Sequence, residues 1–325
     1  MLSRLSKTCA AAVALAGCEG IQSALDPAGP NADAIYRVTV VMTVGAVVIF
    51  ALVLLLVLYA TYRHPDRRPA VSTRLLIVGG GVVFPVVVLS ALLAWGVWLT
   101  GALRVPPGND AVRIEVVANM FWWDVRYLDE HGQARFATAN EIAIPVGRPV
   151  EFTLGSRDVI HSFWVPNLAG KIDMIPGRVT RLRLQADRPG LYRGQCAEFC
   201  GPQHARMAFL VVALPEPQYA EWLENQREPA RAPLQHQGRE AFLAHGCASC
   251  HTVRGVSQAA LLGPDLTHVA SRAWIGAGTL ANTPEQLVTW IAEGERVKPG
   301  RAMPSFGHLD RETLEALAAF LSELR

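Results

Sequence analysis

The chain has 325 residues, enough for more than one domain. It is 51% hydrophobic and 18% charged, against roughly a quarter charged in an ordinary soluble protein, so part of it is expected to sit in lipid. Thirty basic and twenty-eight acidic residues leave a formal +2, which excludes a nucleic-acid-binding chain with its basic stripe. The apolar content excludes wholesale disorder.

Residues 1–17 have the form of an export signal. Arg4 and Lys7 precede a short apolar core, Cys9 to Ala16, and small residues follow it. Leu15-Ala16-Gly17-Cys18 resembles a bacterial lipoprotein signal, which would make Cys18 the lipidated residue. The alternative is an ordinary signal with an incidental cysteine.

Within residues 30–103 lie two uncharged apolar runs, Val38 to Leu58 and Leu75 to Leu99, of 21 and 25 residues. A helix of about 20 residues crosses the hydrocarbon core, so both are expected to be transmembrane and to form a hairpin. Gly79-Gly80-Gly81 and Pro85 are tolerated in such helices. Arg63, Arg67, Arg68 and Arg74 against the single acid Asp66 place the connector in the cytoplasm. Both chain ends then lie outside.

Residues 104–214 read as β. Val112, Ile114 and Val116 alternate with polar neighbours. Further runs around 142–144, 150–154, 179–184 and 209–213 are divided by Pro-Gly-type turns, as in a sandwich or barrel. Residues 215–236 read as a short helical stretch and then a Pro-rich, semi-rigid linker. Residues 237–325 read as helical, with Asp310 as the N-cap of a final amphipathic helix.

Four of the six cysteines form two close pairs. Cys196, Cys200, His204 and Met207 fall within twelve residues, and His161 lies 35 residues before Cys196. Thiolate, thioether and imidazole together suit copper. There is one cysteine too many for a single-copper blue site, and two thiolates on one loop can bridge two ions. A disulfide or a zinc site are the alternatives, although zinc rarely takes a thioether. Further on, Cys247-Ala248-Ser249-Cys250-His251 is the c-type haem attachment signature, with His251 as proximal iron ligand. Met303, in Gly300-Arg301-Ala302-Met303-Pro304, is the expected distal ligand, with His268 and His308 as competitors.

The pattern Cys196-x-Glu198-x-Cys200-x3-His204-x2-Met207 resembles subunit II of cytochrome c oxidase. So do 158–166, 171–178 and the two apolar runs, together about residues 30–215. Residues 237–325 resemble a class I cytochrome c. The resemblance implies a cupredoxin-like β-sandwich at 104–214 holding the binuclear centre CuA, followed by an all-α cytochrome c domain. Cys196 and Cys200 would bridge the coppers. His161 and Met207 would complete one, and His204 and the Glu198 carbonyl the other. The Glu198 carboxylate would reach a magnesium ion shared with subunit I.

The family's aromatic electron-uptake stretch reads Phe121-Trp122-Trp123 here, with Phe121 where the first tryptophan is expected. The two tryptophans are either uptake residues or sheet aromatics. The implied partners are oxidase subunits I and III, membrane lipid, and an upstream cytochrome c or quinol-oxidising complex. The implied location is the bacterial cytoplasmic membrane, with both domains on its outer side. Electrons would pass from haem c to CuA and on to subunit I, where oxygen is reduced. A CuA-bearing nitric oxide reductase subunit and a membrane-tethered copper chaperone are the rival readings. Charge does not name a docking partner: 13 basic against 11 acidic residues over 104–214, and 8 against 9 over 237–325.

Overall fold

The computed structural model describes residues 17–64, 72–102, 111–231, 236–257 and 262–325. The export signal, with Arg4, Lys7 and Cys9, lies outside them, as do Asp66, Arg67 and Arg68 of the connector.

Residues 33–107 form one unit and the remainder another. The first unit is two apolar helices. Helix α1 (Pro30–Tyr62) has a mean hydropathy of 3.1 over its most apolar window. It runs eight residues further toward the N-terminus than its uncharged core, and within that extension Asp33 and Arg37 pair one turn apart. The second begins as a π-helix over Leu75–Val83 and continues as α2 (Phe84–Ala102). Pro85 brings no N–H to the ladder, and the Phe84 N–H bonds back to the Gly79 carbonyl, five residues away. Gly79, Gly80 and Gly81 occupy the widened turn.

The second unit opens with a β-sandwich of two five-stranded sheets. One runs β3-β2-β1-β5-β8 and the other β4-β10-β9-β6-β7. The strands are β1 (Val112–Asn119), β2 (Trp122–Leu128), β3 (Ala134–Ala139), β4 (Glu141–Pro145), β5 (Val150–Ser156), β6 (His161–Trp164), β7 (Ile172–Met174), β8 (Thr180–Leu184), β9 (Gly190–Cys196) and β10 (Ala208–Leu214). β1 with β5 and β4 with β10 pair in parallel, and the other ladders are antiparallel. Trp123, Phe152, Phe163 and Phe209 fill the space between the sheets, all fully buried. Trp123 meets Phe209 and Phe163 edge-on at 4.9 and 5.9 Å. Gly194 is required here: a Cβ would fall 2.1 Å from the Phe209 ring.

A strap from Gly17 to Gly29 lies along the sandwich. The Asn167 amide donates to the carbonyls of Gly20 and Asp26, and the Arg193 N–H to that of Ile21.

The first half of the segment read as a linker is helix α3 (Glu216–Arg227). Its Trp222 packs against Tyr127 and Phe136 of the sandwich at 5.2 and 5.9 Å. The Arg254 guanidinium, from the next domain, caps the last turn by donating to the Gln226 and Arg227 carbonyls at 2.6 and 2.7 Å. Those carbonyls have no partner within the helix. Helix α3 is thus held by the sandwich on one side and by Arg254 at its end.

The C-terminal domain is built on α4 (Gln237–Ala244), α5 (Pro284–Val297) and α6 (Arg311–Glu323). Asp310 caps α6 by accepting the Thr313 N–H at 2.7 Å. Leu314, Leu317, Ala318 and Leu321 form its buried face, as their spacing predicts. α4 crosses α6 at Gly238, where a Cβ would meet the Ala316 carbonyl oxygen at 1.9 Å. A two-stranded ladder, β11 (Trp274–Ile275) with β12 (Leu280–Ala281), interrupts the helices. Its turn takes three successive positive φ values at Gly276, Ala277 and Gly278.

Gly238→Ala should overpack the helix crossing, at a cost of about 1–3 kcal/mol. Asp310→Ala should cost about 1 kcal/mol through the lost cap. Thermal unfolding of the C-terminal domain, followed by circular dichroism, should fall several degrees for both and further for Gly238→Ala.

Candidate metal centres

Three strand ends converge on one sulfur cluster. His161 opens β6, Cys196 closes β9, and Met207 immediately precedes β10. The register makes this unavoidable. Phe163 pairs with Cys196, Gln195 pairs with Ala208, and the Cys196 N–H donates to the Met207 carbonyl. The loop between β9 and β10 carries Glu198, Cys200 and His204. It turns at Gly201, whose φ of +123° suits glycine.

The cluster is tight. The two sulfurs, Cys196 Sγ and Cys200 Sγ, are 3.8 Å apart. Nδ1 of His161 lies 3.7 Å from Cys196 Sγ, and Nδ1 of His204 lies 3.6 Å from Cys200 Sγ. Met207 Sδ is 3.8 Å from Cys200 Sγ, and the Glu198 carbonyl oxygen is 3.2 Å from Cys196 Sγ. Cys196, Cys200, Met207 and His161 are buried, and His204 is half-buried. The five side chains and one carbonyl read from the sequence are therefore all brought together.

The electrostatics of the cluster are set by its own members acting on one another. The bond from Cys200 and those from His161 and backbone N–H groups pull Cys196 down to about 3, against the cost of burial. The Cys196 thiolate in turn drives Cys200 far up. Burial works against a charged His161, but Cys196 and Asp158 outweigh it and raise its pKa. Asp158 was not singled out from the sequence. Its Oδ1 holds His161 Nε2 at 2.7 Å, and its Oδ2 accepts the Met120 N–H at 2.7 Å. This leaves His161 Nδ1 facing the sulfurs, as outer-shell carboxylates do in metal sites. The Glu198 carboxylate points outward, is half-exposed, and pairs with Lys171 at 3.6 Å.

The second centre is a cavity of about 660 Å³ in the C-terminal domain. Cys247, Cys250, His251 and Met303 all line it. The His251 Nδ1–H donates to the Pro264 carbonyl at 2.8 Å, so Nε2 is the nitrogen left to bind. Gly263 makes room for this ring, since a Cβ there would lie 2.7 Å from it. The competitors for the distal position are elsewhere. His268 is buried with its Nε2 on the Glu228 carbonyl, and His308 is exposed.

The donor chemistry fits both groups. Two thiols, two imidazoles, a thioether and a carbonyl suit copper. The haem cavity also holds two guanidinium groups with buried nitrogens lacking a hydrogen-bond partner, Arg301 Nε and Nη1 and Arg272 Nε. Haem propionates would supply the missing anionic acceptors there.

Not all of the cavity wall belongs to the C-terminal domain. Met120, Phe121, Trp122 and Asn140, from the sandwich, close one side. Phe121 is 5% exposed, and its ring lies 3.3 Å from where a Cβ on Gly201 would sit, one residue beyond Cys200. Trp123 points the other way, into the sandwich core, with its ring 6.3 Å from that of His161. The aromatic triplet thus splits: two residues face the cavity and one packs the core.

The comparisons with known proteins agree with this geometry. Residues 110–214 match the periplasmic domain of cytochrome c oxidase subunit II, and residues 235–325 match cytochrome c. The chain is 36% identical to cytochrome c oxidase subunit 2 of Alkalihalophilus pseudofirmus, over 96% of this chain and 94% of the relative. It is 30% identical to that of Bacillus subtilis, over the same shares. Among solved structures, the periplasmic domain of subunit II of cytochrome oxidase of Bradyrhizobium japonicum is 27% identical, covers 38% of this chain and 97% of its own, and gives a TM-score of 0.35. The two matched domains imply CuA copper in the first and haem c in the second. With two apolar helices ahead of both domains, the chain belongs to the cytochrome c oxidase subunit 2 family, in a form that carries its own cytochrome c domain.

Proposed function

We propose that this chain takes electrons at a haem c in residues 237–325, passes them to CuA in residues 104–214, and delivers them to a haem in subunit I, where oxygen is reduced to water. The observation that carries this reading is Phe121, whose side chain both lines the haem cavity and lies against Gly201, one residue beyond Cys200. When bound, the two groups supply one-electron redox chemistry. In this reading Cys196, Cys200, His161, His204, Met207 and the Glu198 carbonyl would hold the copper, Cys247 and Cys250 would carry the haem covalently, and His251 and Met303 would ligate its iron.

The protein's own contribution is rigidity. The sulfur ligands sit in the same core cluster as Trp123 and Phe163. A densely packed interior resists displacement, so little reorganises when charge changes. Phe121 and Trp122 exclude water from the side of the haem that faces the copper. Methionine at the distal position keeps the haem potential high, which suits a donor to copper.

The reading extends to the surroundings. In this reading the two apolar helices would anchor the chain in the bacterial cytoplasmic membrane with both domains outside, and Cys18 would carry the lipid. The half-exposed Glu198 carboxylate, paired with Lys171, would turn to a magnesium ion shared with subunit I. Subunit III and an upstream cytochrome or quinol-oxidising complex complete the assembly. Oxygen, rather than nitric oxide, is the acceptor in this reading, in keeping with relatives that are cytochrome c oxidase subunits.

The test is paramagnetic resonance on the full chain, haem attached and copper supplied. Two coppers per chain should share one unpaired electron with matched hyperfine coupling. Cys196→Ser and Cys200→Ser should each abolish that signal and leave the haem spectrum intact. A single-copper spectrum from the unaltered protein would sink the assignment. Met303→Ala should open the sixth iron position, shifting the ferric haem to high spin and lowering its potential in a redox titration. A low-spin haem in this variant would transfer the role to another residue.

A further inference from the structure

Lys298 follows the last residue of α5 and lines the haem cavity without being one of the ligands assigned to either centre. It is 2% exposed. Its ammonium has three hydrogens, and three carbonyls receive them: Phe121 at 2.8 Å, Arg206 at 2.7 Å and Gly276 at 3.0 Å. The first two belong to the sandwich and the third to the C-terminal domain that carries Lys298. Burying a charge is costly unless its hydrogen bonds are complete. Here completion needs both domains. Were they apart, two of the three acceptors would be missing.

The position of these acceptors matters. Phe121 walls the haem cavity, and Arg206 immediately precedes Met207. One cation thus ties the backbone on either side of the gap between the two centres. Neighbouring contacts run along the same seam. Arg206 donates to the Val297 carbonyl. The Ala208 N–H donates to the Ala277 carbonyl at 3.1 Å, and the Ala273 N–H to the Glu141 carboxylate at 3.0 Å. Arg193 stacks over Trp274 at 5.3 Å.

We propose that Lys298 is the positioning residue that locks the cytochrome domain onto the copper domain, fixing the separation between haem and copper. This rests on the reading that the two domains hold those groups. Its consequence is that electron transfer within the chain proceeds from one set geometry, not from successive collisions of a tethered domain.

Lysine is rare enough here to make the test clean. The chain has three: Lys7, Lys171 and Lys298. The Lys171 side chain is 50% exposed. The full-length protein is treated with an acetylating ester at mildly alkaline pH, and peptides are followed by mass spectrometry. Lys171 should be modified at least tenfold faster than Lys298. Equal rates would overturn the proposal.

The second arm uses Lys298→Met in the full chain. The copper signal and haem absorption should be unchanged, while light-triggered transfer from haem to copper slows at least tenfold. The relaxation enhancement of the copper signal by the ferric haem should weaken. Unaltered transfer, or loss of either spectrum, would overturn the positioning role. Acetylation needs neither group. A missing binuclear signal beside a protected Lys298 would therefore sink the electron-transfer reading and leave the lock standing.

Discussion

His161, Cys196 and Met207 are contributed by the ends of three neighbouring strands, and their separation is set by ladder register before any metal is considered. Phe163 opposite Cys196, and Gln195 opposite Ala208, leave no freedom to slide. A one-residue slip would turn every inward side chain outward, emptying the core of Phe163 and Phe209 at the same time as it scattered the sulfurs. The stability of the sandwich and the geometry of the donor cluster are therefore one constraint. Asp158 extends it outward, fixing the His161 ring with one oxygen and the Met120 backbone with the other.

The same economy governs the boundary between domains. Met120, Phe121 and Trp122 leave the end of β1 and enter β2, and in doing so serve as a wall for the neighbouring cavity. Arg254 caps the helix that leaves the sandwich, and Lys298 is bound by carbonyls from both sides. Backbone acceptors do most of this work. A carbonyl carries no net charge, so the seam binds Lys298, Arg206 and Arg254 without demanding a compensating acid at each point.

What could be read in the sequence was whatever chemistry is local. Cys196 to Met207 and Cys247 to His251 each announce themselves within a dozen residues, and the apolar runs need only counting. β1 was legible because its residues alternate. β2 was not, because Trp123, Asp124 and Val125 are buried in succession and the period of two is lost. Asp158 and Lys298 act on partners 3 to 177 residues away, through contacts that exist only once the sheets are stacked. An isolated lysine after a helix looks like any solvated residue. Trp122 and Trp123 are adjacent and chemically alike, and only the pleat sends one to the cavity and the other to the core.

The wall that the copper domain lends to the cavity makes the pocket a shared structure. Met120, Phe121, Trp122 and Asn140 line it together with Cys247, Cys250 and Met303. A substitution at Phe121 therefore changes the surroundings of both centres at once, because the same ring lies against the Gly201 turn beside Cys200.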